Sequence, residues 1–221
     1  MRISHALVPA AMAAMLLLSA PATSQGGNSK LMKYLNSLPK QGLSTAELAQ
    51  LRLLRQEEKL ARDVYQVLAL VWKIPAFTNI AKAEQSHMDL VAWVMQRYGI
   101  KDPLTSNAWG VYPDPQFSSL FVSLLQFGIH SKWHALAVGA FIEDLDIADL
   151  KHSLQVTDNR DLDTVWQNLQ RGSRNHMRSF YGLLAAARLY YPGFVLSTKE
   201  ILAIVNSAWE TAPVDEKGVA L

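Results

Sequence analysis

Glu84 and His87 stand three residues apart in Ala83-Glu84-Gln85-Ser86-His87-Met88. On a helix they point about 60° apart in azimuth and one turn along the axis. The same face carries Phe77, Ile80, Ala81, Met88, Val91 and Met95, so a carboxylate and an imidazole sit in an apolar stripe. A charge buried there is costly unless it meets a partner. Glu-x-x-His projecting inward from a bundle helix is half of a carboxylate-bridged two-metal centre. Four residues are a short motif, and the reading turns on whether other helices supply matching ligands.

Three other stretches do. Glu143 shares a helical face with Leu136, Gly139, Ala140, Ile147 and Leu150, and Asp146 follows three residues on. Gly139 and Ala140 leave room one turn away for a neighbouring helix or a ligand. His176 aligns with Leu169, Gly172, Ser173, Phe180 and Leu183. In Gln56-Glu57-Glu58-Lys59 both acids fall on apolar rows, and periodicity alone does not choose between Glu57 and Glu58.

A metal-free reading stands beside this one. Arg62 and Arg174 follow ligand motifs closely enough to neutralise carboxylates in a non-enzymatic binding module, structural module or metal store. Alternatively they orient ligands from behind, as Asp63 and Asn175 could. Tyr65 is either a core aromatic with a partnered hydroxyl or a redox or hydrogen-bonding residue beside the metals. His130 and His134 have a zinc-like spacing but face away from Glu143, and read as surface residues. His152 suits a helix C-terminus. The six tryptophans are spread evenly and read as packing or interface residues.

The elements that must position these groups are helical. Ser44-Thr45-Ala46-Glu47 is a capping box opening a helix of about 28 residues, which Pro75 ends. Thr78 caps a second helix closing before Gly99. A connection over 99–130 contains a short helix after Asp114-Pro115, stopped by Gly128. Ser131 caps a third long helix to about Leu154. Asp161 opens a fourth to about Tyr190, and Ser197 caps a last short one over 198–208. No stretch alternates with the period of a strand. The fold class expected is all-α: a ferritin-like four-helix bundle with one long crossover between its second and third helices, plus short accessory helices.

Composition narrows the functions. The chain has 221 residues, half of them hydrophobic, and a formal charge of +2 with no basic stripe, which argues against nucleic acid. It has no cysteine, which excludes disulfides, thiolate nucleophiles and thiolate-bound metals. Oxygen and imidazole ligands suit iron or manganese, and also zinc or copper through histidine. Arg2, the apolar run Ala6–Ala20 and Ala20-Pro21-Ala22 read as a signal peptide over 1–22, giving a periplasmic or secreted protein. A flexible lead-in, in which Leu31 to Leu38 could form a short helix, is expected over 23–43, with a helical domain over 44–210 and a frayed tail over 211–221. The expected partners are metal ions and small oxidants, with no membrane contact after signal cleavage and a homo-oligomer left open.

Four motifs in order resemble the domain-of-unknown-function family 2202, a member of the ferritin-like superfamily that includes bacterioferritin and rubrerythrin. They are Glu58-Lys59-Leu60-Ala61-Arg62-Asp63-Val64-Tyr65, the Glu84/His87 pair, Ile142-Glu143-Asp144-Leu145-Asp146-Ile147 and Arg171-Gly172-Ser173-Arg174-Asn175-His176. The likeness spans roughly residues 45–205. Ferritins place a tyrosine seven residues after their first ligand glutamate, as Tyr65 follows Glu58, and this tips the choice to Glu58. The resemblance implies two iron ions, with Glu58 terminal, Glu84 bridging, His87 on one ion, Glu143 a further carboxylate and His176 on the second ion. It further implies ferroxidase- or peroxidase-like chemistry. The chain departs from the ferritin pattern at Ser173, where the fourth helix would need glutamate. That leaves the centre one carboxylate short unless Asp146 turns inward, and suggests one tight and one labile ion.

Overall fold

The computed structural model describes residues 25–221, with side chains from residue 29, so the expected signal peptide over 1–22 lies outside the described residues. The described chain is all-helical: α1 (Gln25–Ser37), α2 (Thr45–Trp72), α3 (Pro75–Tyr98), α4 (Pro115–Gly128), α5 (Lys132–Val156), α6 (Arg160–Ala186) and α7 (Thr198–Val205). The α2 capping box forms as expected, with Ser44 Oγ accepting from Glu47 N and Glu47 Oε2 accepting from Ser44 N at 2.7 Å.

Two boundaries differ from the sequence expectation. Lys73 adopts a left-handed conformation (φ 52°) that ends α2, which frees Pro75 to be the first residue of α3. Proline costs little there because the first helical N–H has no partner in any case. The helix therefore starts at Pro75 and not after Thr78. At the other end of the chain, Arg188 (φ 59°) turns the backbone, so α6 stops at Ala186, short of Tyr190.

Side-chain pairs fix the directions of the four long helices. Glu58 meets His87 and Arg62 meets Gln85, so α2 and α3 are antiparallel. Tyr65 meets Glu143 while Ser153 meets Gln50, which makes α5 antiparallel to α2. Gly139 abuts Phe180, whereas Gln170 reaches the Ile147 carbonyl, so α6 is antiparallel to α5. Hence α3 and α5 run the same way, and the chain must travel the length of the bundle between them. Residues 99–131 do this along α2. Asp102 pairs with Arg55, the Ala108 carbonyl accepts from Lys59 Nζ, and the Gly128 carbonyl accepts from Trp72 Nε1.

Two apolar clusters fill the bundle. One contains Val64, Tyr65, Leu68, Phe77, Leu136 and Phe180. The other contains Leu51, Leu54, Val91, Met95, Leu162 and Trp166. Leu31, Leu35 and Leu38 join the second cluster, so the short helix that Leu31 to Leu38 could form is present as part of a longer α1 in place of a flexible lead-in. Burying three leucines outweighs the poor helix propensity of Gly26-Gly27-Asn28-Ser29. The segment expected to fray is likewise held. Glu210 accepts from Arg174 and Arg178, Asn168 clasps Val214 through both backbone polar groups, and Glu216 accepts from Tyr34 and Arg160.

Candidate metal centre

Between the two apolar clusters lies one polar layer, built at mid-length from all four long helices. α2 supplies Glu58, α3 supplies Glu84 and His87, α5 supplies Glu143 and Asp146, and α6 supplies Ser173 and His176. Glu58, Glu84, Glu143 and Ser173 are nearly inaccessible to solvent, and His176 is 5% exposed.

Ligand atoms of Glu58, Glu84 and His87 lie within 4.8 Å of one another, as do those of Glu84, Glu143 and His176. Glu84 belongs to both triplets and divides its carboxylate between them. Its Oε2 is 2.8 Å from Nδ1 of His87, and its Oε1 is 2.8 Å from Nδ1 of His176. His87 Nδ1 is also 3.2 Å from Glu58 Oε2, and His176 Nδ1 is 3.4 Å from Glu143 Oε2. The two imidazoles stack with centroids 5.5 Å apart.

Close-packed glycines make room for this geometry. A Cβ on Gly172 would stand 2.5 Å from His87 Nε2, so the bare α6 backbone is what lets the ring fit. The sequence puts Gly172 on the His176 stripe and in a motif, without giving the reason for a glycine there. Its signal was a glycine in the middle of a long helix, which costs about 1 kcal/mol and needs a reason. The gap at Gly139 is filled by a neighbouring helix, with Phe180 where a Cβ would be.

The sequence left the centre one carboxylate short, and Asp146 now stands beside it. The Ser173 hydroxyl donates to Asp146 Oδ2 and lies 3.0 Å from the Leu169 carbonyl, while Asp146 Oδ1 has no hydrogen-bond partner. Tyr65 donates to Glu143 Oε1 at 2.5 Å and lies 3.3 Å from the Gly139 carbonyl. Glu57 is outside both triplets, in the wall of an adjoining cavity that Asp149 also lines, with its Oε2 buried and unpartnered.

Electrostatics show what the layer lacks. Burial pushes Glu58 up to about 7, with Glu84 adding to the rise and His87 opposing it. Burial also raises Glu143 and takes Asp146 well above the carboxylate range, each reinforced by neighbouring carboxylates. Glu84 is the exception, since burial is outweighed by His176 and His87 and its carboxyl is held low. Burial opposes charge on His176, yet Glu84 and Glu143 raise it to about 9. His87 is raised well above its ordinary value against the same burial, by Glu58 and Glu84. Burial and Glu143 keep the Tyr65 phenol protonated.

No guanidinium or ammonium among the described residues pairs with these carboxylates. Arg62 is bound to Asp63 and Gln85, and Arg174 to Glu210 and Gln170, so neither fills the neutralising role the metal-free reading gave it. Nor do Asp63 and Asn175 stand behind the ligands. Asp63 accepts from Lys59, Tyr112 and Gly110 and pins the crossover, whereas Asn175 bonds the backbone of Glu210. Glu58 Oε1 and Asp146 Oδ1 are buried without a hydrogen-bond partner. His176 Nδ1, although 2.8 Å from Glu84 Oε1, is out of line for a hydrogen bond and is orphaned too. Buried acceptors left unpaired beside the two triplets fit a cation held there.

A cavity of about 380 Å³ opens onto the layer. Glu58, Glu84, Glu143 and Asp146 line it on the layer side, Leu53, Phe117 and Leu120 are among its apolar walls, and Glu57, Asp114 and Asp149 also line it. His130 is exposed and His134 holds Ser131, so neither reaches the layer.

The comparisons agree with the geometry in extent. Residues 47–208 match the family described as Uncharacterized protein domain (DUF2202). The chain is 44% identical over 180 residues to the uncharacterized protein MJ0754 of Methanocaldococcus jannaschii, covering 81% of this chain and 97% of that one. The crystal structure of hypothetical protein MJ0754 superposes with a TM-score of 0.77 at 45% identity, over 79% of this chain and 99% of that one. The matched span takes in the candidate ligands of all four long helices, from Glu58 to His176, and this chain belongs to the DUF2202 family.

Proposed function

We propose that the polar layer is a two-metal centre holding iron, with manganese or zinc as alternatives, in an exported ferritin-like protein. We further propose that it oxidises ferrous iron or reduces dioxygen or peroxide. One observation carries the reading: two carboxylate–imidazole triplets share Glu84 through opposite oxygens. Bundles with this arrangement hold paired metals, and oxygen and nitrogen donors without thiolate suit iron and manganese.

When bound, paired ferrous ions supply two electrons together, enough to take dioxygen to peroxide or peroxide to water. The residues of the chain position the site and manage its protons. Glu84 holds both positions in register. Tyr65 fixes one oxygen of Glu143 and leaves Oε2 toward His176. Ser173 orients Asp146, which supplies the carboxylate that α6 lacks. The apolar walls limit water, and the cavity admits a small oxidant or an incoming ion.

Metal analysis tests this first. The reading expects one to two metal ions per chain, lost in a Glu84→Ala, His176→Ala double variant. Ferrous iron added to the metal-free protein should then drive consumption of dioxygen or peroxide. Protein that purifies without metal, and melts at the same temperature with and without chelator, contradicts the reading. Iron binding without oxidant consumption identifies a store or carrier.

A further inference from the structure

The acidic residues are distributed unevenly along the bundle. None occurs between Asp63 and Glu84, between Asp114 and Glu143, or between Asp163 and Glu200. Glu84 and Glu143 lie in the polar layer, and Asp63, buried and paired with Lys59 and Arg62, lies just past it on α2, so from there α2, α3, α4, α5 and α6 reach one end of the bundle without a further carboxylate side chain. That end consists of the α2–α3 turn, the α4–α5 connector and the close of α6. Trp72 bonding the Gly128 carbonyl and Phe77 packing on Phe180 hold these pieces together.

What the end does carry is cationic and apolar. Lys73, Lys132 and Arg188 are exposed and have no ion-pair partner among the described residues. Beside them stand Leu70 (65% exposed), Val71, Phe127, Ile129 (52%), Trp133, Leu189 and Tyr190 (57%). Lys132 Nζ lies 4.3 Å from the Trp133 ring centroid. Lys73 and Arg188 are the two non-glycine residues of positive φ among the described residues, at helix ends where glycine or asparagine fits with less strain. Cations kept at strained positions, on an end with no acid to answer them, call for an external anion.

We propose that this end of the bundle docks on an anionic lipid membrane surface. The apolar side chains stand on separate helix ends and short connectors, so each inserts into a fluid interface on its own. An indole beside an ammonium suits the headgroup level, and basic residues are drawn to anionic lipid. Two-fold pairing with a second copy fits less well, because it brings like charges together with no acidic residue between them. This proposal departs from the expectation of no membrane contact after signal cleavage. Docking here is independent of the metal reading, since none of these residues touches the polar layer.

Vesicle sedimentation tests the proposal on the full chain, with the first 24 residues unchanged in every variant. Wild type should bind phosphatidylglycerol-containing vesicles well above pure phosphatidylcholine, and more weakly as salt rises. A K73N/K132Q/R188N variant, with asparagine at both left-handed positions, should lower binding by about a hundredfold, near fivefold per charge. Phe127→Ser with Ile129→Ser should weaken it separately, and melting temperature should confirm folding in each case. Equal binding to both lipids, no binding, or variants that bind as wild type overturn the proposal. So does a change of sedimentation mass in lipid-free solution, which would assign the face to a second copy.

Discussion

The hydroxyl of Ser173 on α6 donates to the carboxylate of Asp146 on α5, three residues from His176 and at the place where a second Glu-x-x-His would put its acid. In the proposed two-metal centre a serine and an aspartate from neighbouring helices would stand in for one glutamate. Ser173→Ala removes the donor and frees Asp146 to turn. The expected outcome is a second metal bound about 10–100-fold more weakly, the usual cost of losing a group that orients a ligand. Titration calorimetry with ferrous iron under anaerobic conditions reads this directly. Ser173→Glu, in contrast, should tighten the second ion if the new carboxylate reaches the layer.

Glu84 and Glu58 should differ in how many ions they cost. Glu84→Gln weakens both positions, because each triplet uses one of its oxygens. Glu58→Gln touches one triplet only. Metal counting on purified variants should give close to none for the first and about half the wild-type content for the second.

Gly172→Ala is expected to act on metal binding more than on packing. The added methyl falls 2.5 Å from His87 Nε2, and the ring must tilt away from Glu58 and Glu84. The forced shift should cost about 1–3 kcal/mol of stability. Gly139→Ala is the control, because its clash is with Phe180 in the apolar cluster. The two variants should destabilise similarly in thermal melts, but only Gly172→Ala should lose metal.

The metal-free protein should lose stability as pH rises from about 5 to 9. Glu58 is raised from 4.5 to about 7 and His176 from 6.5 to about 9, so the folded chain binds protons that the unfolded chain gives up sooner. Their contribution is complete below the unfolded values and fades as pH passes the folded ones. Bound metal replaces those protons. Denaturant melts with and without chelator should therefore diverge with increasing pH, and metal addition near pH 6 should acidify a weakly buffered solution.

Much of the centre was legible because a helix fixes which residues share a face. Glu84, Glu143 and His176 each fell on a stripe whose apolar members Phe77, Met88, Leu136, Leu150 and Phe180 are all buried. The ambiguity between Glu57 and Glu58 had a structural cause. From Glu58 to Tyr65 every residue of α2 is buried, because the crossover covers the outer face while the bundle covers the inner one. A helix covered all round gives periodicity nothing to separate. Arg62 and Asp63 were misplaced for the same reason, since their network with Lys59 and Tyr112 faces a connection whose path no local pattern reveals. A short helix over Leu31 to Leu38 was legible as an option, but the start of α1 at Gln25 was not, because its glycines argue against a helix that tertiary burial of Leu31, Leu35 and Leu38 sustains.

Anomalous scattering at the iron edge, from crystals of the protein loaded with ferrous iron, tests the shared carboxylate most directly. Two peaks are predicted in the polar layer, one against Glu58, Glu84 and His87 and the other against Glu84, Glu143 and His176. An absence of peaks there, with the carboxylates paired only to protons and imidazolium, would contradict the two-metal reading.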